Sequence, residues 1–233
     1  ISQATDFVLS INRHRAGGAA DQLPSASEAC FSISDHAANT AMRVKRLSLI
    51  EVTDDEDETA QKRIAERLRP LWQEVVAHID RERGKERRLD QPLTASQRWL
   101  SPSDFGFHNA IEESNGRLRF IDFEYAGWDD PAKLLCDFAN QPDRILEESL
   151  VVPFIQAIID ADVDPHFLQH RYALLEPLYQ IKWACIILNE FMPTGRERRK
   201  FTRSADVREK KRSQLEKLDV MLDRVSKSLT LNR

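Results

Sequence analysis

Asp104, Asn109 and Asp122 are the side chains whose types and spacing most readily describe chemistry. Asp104 sits in Leu100-Ser-Pro-Ser-Asp-Phe-Gly-Phe-His-Asn109, a stretch with the composition of a loop. Asn109 leads into a short strand-like run at 110–112, and Ser114-Asn115-Gly116 follows as a hairpin turn signal. A second run at 118–123 then delivers Asp122. A hairpin folds back on itself, so Asn109 and Asp122 are expected beside one another. Two oxygen-bearing side chains at one point suit a hard divalent cation whose remaining ligands are phosphate oxygens, the usual way of holding Mg2+. Asp104 is left free to accept or orient a hydroxyl proton. Positioning, charge neutralisation and a base near the nucleophile are what phosphoryl transfer requires.

Neighbouring residues admit two roles each. His108 fits a substrate contact or a loop-stabilising histidine, and Glu124 a second reach toward the cation or the acceptor. Tyr125 and Trp128 fit the wall of a pocket or ordinary packing. His166 and His170 are four apart on an expected helix but lack a third ligand, so they read as surface or core residues rather than a zinc site.

The surrounding elements read as helical. A first helix, carrying Phe7, Val8 and Ile11, is expected to stop at Gly17-Gly18. Ser25 or Ser27 is the expected cap of a second, with Phe31, Ile33, His36, Ala37, Val44 and Leu47 on its pattern. The acidic run Asp54-Asp55-Glu56-Asp57-Glu58 reads as a solvated start to a third, whose Ile64, Leu68, Leu71, Trp72, Val75 and Ile79 keep helical spacing. After the hairpin, Asp130-Pro131 makes a helix start. Helices are expected at 147–161, 165–191 and 205–229. The basic residues of 196–203, with Arg208, Lys210, Lys211 and Arg212, read as a solvated face or as a surface for an anionic acceptor.

Composition narrows the class. Hydrophobic residues at 41% and charged residues at 31% are the balance of a soluble globular chain. A net charge of −4 argues against general nucleic-acid binding. No apolar stretch approaches a membrane span. The three cysteines, Cys30, Cys136 and Cys185, have no metal-ligand spacing and read as buried thiols of a cytoplasmic protein.

Residues 100–139 resemble the aminoglycoside phosphotransferase and choline kinase family. Leu100 to Asn109 is similar to its catalytic loop, H-G-D-x-x-x-x-N, and Phe120 to Pro131 to its I-D-[FW]-x-x-A-x-x-x-D-P segment. The resemblance implies that Asp104 is the catalytic aspartate and that Asn109 and Asp122 are the metal ligands through which the nucleotide is held. It implies a mainly α fold with a small β-hairpin, the C-terminal lobe of the protein kinase-like fold. Residues 1–233 would form one helical lobe, with the catalytic loop, metal-binding hairpin and following helix at 98–140. The implied activity is transfer of the γ-phosphoryl group of ATP or GTP, with Mg2+, to a hydroxyl of a sugar, aminoglycoside-like or amino-alcohol metabolite.

Two departures stand out. Pro102 and Ser103 replace the motif's His and Gly, and a rigid proline can supply the backbone role of that His. No glycine-rich phosphate loop and no strand with a phosphate-reaching Lys can be read, so the nucleotide-clamping lobe is expected to be absent and these residues alone inactive. The basic C-terminal segment argues for a neutral or anionic acceptor over a polycationic one. The rival readings are a non-catalytic, pseudokinase-like binding or scaffolding lobe and an unrelated helical interaction domain.

Overall fold

A computed structural model describes residues 1–13, 22–142, 146–193 and 204–231. The expected stop at Gly17-Gly18 and the basic run at 196–203 lie outside the described residues. The helices are α1 (Ser2–Asn12), α2 (Ile33–Arg46), α3 (Asp55–Arg63), α4 (Arg69–Lys85), α5 (Pro131–Ala139), α6 (Glu148–Asp160), α7 (Pro165–Ile187) and α8 (Ser204–Leu231). The strands are β1 (Trp99–Ser101), β2 (Ala110–Glu112), β3 (Leu118–Phe120) and β4 (Gly127–Asp129). The fold is mainly α with two small antiparallel sheets, β1–β4 and β2–β3. The β2–β3 hairpin has the expected register, Ile111 opposite Arg119. The β1–β4 pairing, with Leu100 opposite Trp128, was not expected, and β3 ends at Phe120, before Asp122.

The chain forms two compact units, Ile1–Asp35 with Arg87–Leu175, and His36–Glu86 with Glu176–Arg233. The first holds the candidate residues. Its core is aromatic: Phe138 stacks on Phe154 at 4.0 Å, and Phe105 packs against Phe7, Phe120 and Phe138. Ser25 and Ser27 do not cap α2. Ser32 does so, its hydroxyl accepting from the Asp35 N–H at 3.1 Å while the Asp35 carboxylate accepts from the Ser32 N–H at 2.9 Å. Pro24 to Ala26 instead lies along β4, Trp128 N–H donating to Pro24 O and Ala26 N–H to Trp128 O, both at 2.9 Å. A Cβ on Gly127 would come within 2.4 Å of Pro24 O, so glycine is what lets the two backbones approach.

In the second unit, 55–85 is helical throughout, with one π turn at Ile64–Leu68. Pro70 explains it: the ring has no N–H to give and crowds the preceding carbonyl, and the wider turn makes room. Arg69 N–H donates five residues back, to Ile64 O. Ile64, Leu68, Val75 and Ile79 are buried, as are Leu215, Leu218, Leu222 and Val225 of α8.

The acidic run is not simply a solvated helix start. Asp54 caps α3 by accepting from Asp57 N–H, and Asp57 is fully buried. Lys211 Nζ lies 2.6 Å from both Asp54 Oδ2 and Asp57 Oδ1, and Arg212 pairs with Glu56 at 2.9 Å. Two of the basic residues that suggested an anionic acceptor are therefore committed to the acidic run.

Arg63 and Arg67 both bind Asp219, at 2.7 and 2.9 Å. Hydrogen bonds from Arg63 hold the Asp219 carboxyl below its ordinary 3.8 despite partial burial. A depressed carboxylate contributes stability that is present above about pH 4 and lost as pH falls through the folded value. Asp219→Asn is expected to cost about 0.5–1 kcal/mol at pH 7, a deficit that shrinks as pH falls below about 4. Urea unfolding of both proteins across pH 2–7 checks this.

Candidate active site

Asp104, Asn109 and Asp122 all lie in the first unit, on the irregular segments that flank the hairpin. Asn109 O accepts from Ile121 N–H at 2.9 Å, which extends the hairpin ladder by one bond beyond Ala110 and Phe120. Asn109 is thus held opposite Ile121, and Asp122 follows directly. Asn109 Nδ2 donates to Asp104 O at 2.9 Å, fixing the amide and leaving its Oδ1 turned away from that bond. The Asp104 side chain is 53% exposed, and Asp122 is exposed.

Tyr125 senses the charge around it. Its hydroxyl pKa is raised, first by the hydrogen bond to Glu124 and by that carboxylate's charge, with Asp122 and Asp104 adding to it. Three carboxylates from two segments therefore act on one neighbourhood. Such a concentration of negative charge favours a cation.

Backbone geometry marks the same residues. Ser103 has φ 70° and Asp122 φ 66°, in the left-handed region where side chains other than glycine are uncommon. The motif's glycine falls at Ser103, so this departure from the motif puts a residue with a side chain at a left-handed position, at some cost in strain. Ser103 N–H donates to Ser101 Oγ at 3.0 Å, and Pro102 is buried.

Two side-chain amides on α1 strap the site down. Gln3 receives Leu118 N–H at Oε1 (2.8 Å) and donates from Nε2 to Gly116 O (3.0 Å), clasping the hairpin turn. Asn12 treats β1 the same way, receiving Leu100 N–H at 2.8 Å and donating to Leu100 O at 3.0 Å. Each amide stands in for a strand partner. Neither was read from the sequence, where a buried Asn on an otherwise apolar helix face is the only hint.

Behind the site lies a buried ionic layer. Asp130 caps α5 through Ala132 N–H and bonds Arg171 Nε at 2.6 Å, with both side chains almost fully buried. Asp129 takes the N–H groups of Cys30 and Asp130 and an ion pair with Lys133. Burial alone would lower the Lys133 ammonium, but Asp129 and Asp137 outweigh it and hold the group above its ordinary range. Asp130-Pro131 is thus a structural tie.

The remaining candidates fall outside this constellation. His166 is exposed and His170 half-buried, and no group of three or more His, Cys, Asp or Glu among the described residues is arranged to hold a metal. Glu190 pairs with Lys210 at 2.9 Å. None of the three cysteines is in a disulfide and all are buried, and burial pushes the Cys185 thiol up to about 12. No described helix is long and apolar enough to cross a membrane.

A choline/ethanolamine kinase family protein from Mesorhizobium loti, known as a crystal structure, shares this fold. The superposition has a TM-score of 0.51 at 14% identity and covers 100% of this chain and 67% of that one. No protein-family model and no curated protein matches the chain. At that identity the likeness establishes the fold alone, the mainly α lobe architecture of kinase-like proteins.

Ser103→Gly is expected to change stability by less than about 1 kcal/mol, relief of strain offsetting chain entropy. Ser103→Val should lose about 1–3 kcal/mol, because a β-branched residue is ill suited to a left-handed backbone. Urea midpoints of the three proteins decide it.

Proposed function

We propose that this chain is the helical lobe of a small-molecule phosphotransferase, moving the γ-phosphoryl group of ATP or GTP onto an acceptor hydroxyl. The observation that carries the reading is the bond from Ile121 N–H to Asn109 O, which sets Asp122 one residue from the ladder partner of Asn109, with Asp104 tied to Asn109 by the bond between Asn109 Nδ2 and Asp104 O. The sequence likeness to the aminoglycoside phosphotransferase and choline kinase family and the shared fold support it.

The donor set fits Mg2+: a neutral amide oxygen and a carboxylate are hard ligands, too few for a closed site and suited to one completed by phosphate oxygens. Bound there, the cation neutralises charge on the triphosphate. Asp104 is placed to orient the acceptor hydroxyl and take its proton at Oδ1 or Oδ2. Asn109 holds the Asp104 backbone, so the base and the ligand set are positioned as one unit. Ile111 and Ile121, both exposed and on one face of the hairpin, offer an apolar floor for a purine. In this reading the cover for the phosphates comes from a nucleotide-clamping lobe outside these 233 residues.

The local charge favours a cationic amino alcohol as acceptor. Asp104, Asp122 and Glu124 lie around the exposed ring of Tyr125, and a positively charged head group gains from both the carboxylates and the aromatic face. The argument for an anionic acceptor weakens correspondingly, since Lys211 and Arg212 are occupied by Asp54, Asp57 and Glu56.

Residues 1–233 alone are expected to bind Mg-ATP more weakly than micromolar and to turn over negligibly, because positioning is most of this catalysis. Calorimetric titration measures it, and micromolar affinity would reveal a clamp within the chain. In the protein that carries the clamp, Asp104→Asn should retain nucleotide affinity and slow transfer to choline or ethanolamine by on the order of 10²–10⁴. Asp122→Ala should weaken both nucleotide binding and rate. Transfer at the wild-type rate by Asp104→Asn removes the basis for calling the protein a kinase. Nucleotide binding without transfer to choline, ethanolamine or neutral sugars favours the scaffolding lobe.

A further inference from the structure

Gln141 lies two residues beyond the end of α5 and 37 positions after Asp104, outside both motif segments. It is 8% exposed. Its Nε2 donates to Phe105 O at 2.6 Å, the carbonyl next to Asp104 in the loop. Only the NH2 end of an amide can donate to a carbonyl, so this bond fixes which way the group faces. Oε1 is therefore the atom that lies 3.2 Å from His108 Nδ1. An amide oxygen only accepts, which requires Nδ1 to carry the hydrogen. With the ring so oriented, His108 Nε2 lies 3.2 Å from Asp104 Oδ1, and because a carboxylate only accepts, Nε2 bonds it only while it too carries a hydrogen.

Gly106 completes the fit. A Cβ at that position would sit 2.0 Å from Gln141 Oε1 and 2.2 Å from Nε2, so the Gln141 amide fills the space that a side chain on Gly106 would take. Glycine is needed here for room and not for its dihedral angles, since its φ of 178° is ordinary extended backbone.

We infer that Gln141 is a positioning residue for phosphoryl transfer: its amide binds both Phe105 O and His108 Nδ1, and so fixes the loop backbone next to Asp104 and the His108 ring that stands beside its carboxylate. The consequence for catalysis rests on the phosphotransferase reading, whereas the geometry of the relay does not. An outer partner that fixes an imidazole and thereby a reacting group generally matters on the order of tenfold or more. A carboxylate with 53% of its side chain exposed has several rotamers open to it, and a fixed ring beside it restricts them.

The first test is spectroscopic and uses the 233-residue chain labelled with 15N. Long-range proton–nitrogen correlation reports which imidazole nitrogens carry hydrogen, and the His108 signals are those lost in His108→Asn. A protonated Nδ1 is expected. A ring protonated at Nε2 alone overturns the inference.

The second test is Gln141→Met, which keeps length and apolar fit but neither hydrogen bond. The His108 signals should move to the mixed-tautomer pattern of an unrestrained imidazole. In the protein that carries the clamp, kcat should fall about tenfold with KM for Mg-ATP and for choline within twofold. Combined with His108→Asn, the variant should cost no more than His108→Asn alone, because both act through one path. Unmoved His108 signals, unchanged kcat, or additive losses in the double variant would each overturn the inference. A wild-type protein that transfers no phosphate would instead sink the phosphotransferase reading, while the nitrogen spectrum still decides the relay.

Discussion

Two adjacent carboxylates with no access to water, Asp129 and Asp130, are the constraint that orders the first unit. An unpaired buried charge costs several kcal/mol, so each must find partners. The partners come from far apart in the chain: Cys30 N–H, the first turn of α5, Lys133 and Arg171. Satisfying Asp130 sets the direction of α5, and the far end of α5 delivers Gln141 beneath the loop. Satisfying Asp129 fixes β4, which pairs with β1, the strand that leads into Asp104. The exposed chemical groups are therefore located by buried charges that never touch a ligand.

Between those anchors the backbone is irregular, and irregular backbone must be braced. Positive φ at Ser103 and Asp122 would be resisted in a free chain. Phe105, buried among Phe7, Phe120, Phe138 and Phe154, pins the loop one residue from Asp104. The amides of Gln3 and Asn12 supply partners to strands too short to stabilise themselves. Apolar packing holds the loop at one point, and directional hydrogen bonds fix its shape.

What could be read from the sequence follows from range. The hairpin and its turn are encoded locally by turn chemistry and strand patterning, and both are present. The helices after Pro131 were legible from apolar spacing and from the Asp130-Pro131 start. The β1–β4 pair was not, because three-residue strands carry no periodicity and their partners are remote. Pro24 to Ala26 has the chemistry of a helix start, Ser25 and Ser27 being capping residues, yet Gly127 offers that segment a backbone to lie against. The acidic run looked solvated because its counterion, Lys211, lies more than 150 positions away. Gln141 gave no signal at all: its role exists only once Gly106 and His108 are folded around it.

The strap formed by Pro24 to Ala26 along β4 has a kinetic consequence. The β2–β3 hairpin closes a short loop and belongs to the microsecond events of a folding chain. The strap, like the Asn12 bonds to Leu100, joins residues separated by 88 positions or more, and its loop-closure entropy must be met before any contact repays it. The hairpin flanked by Asn109 and Asp122 should accordingly be native early, while the bracing of Asp104 waits for the last long-range closure. Loosening that closure would loosen Asp104 relative to Asn109 and Asp122 without unfolding the hairpin.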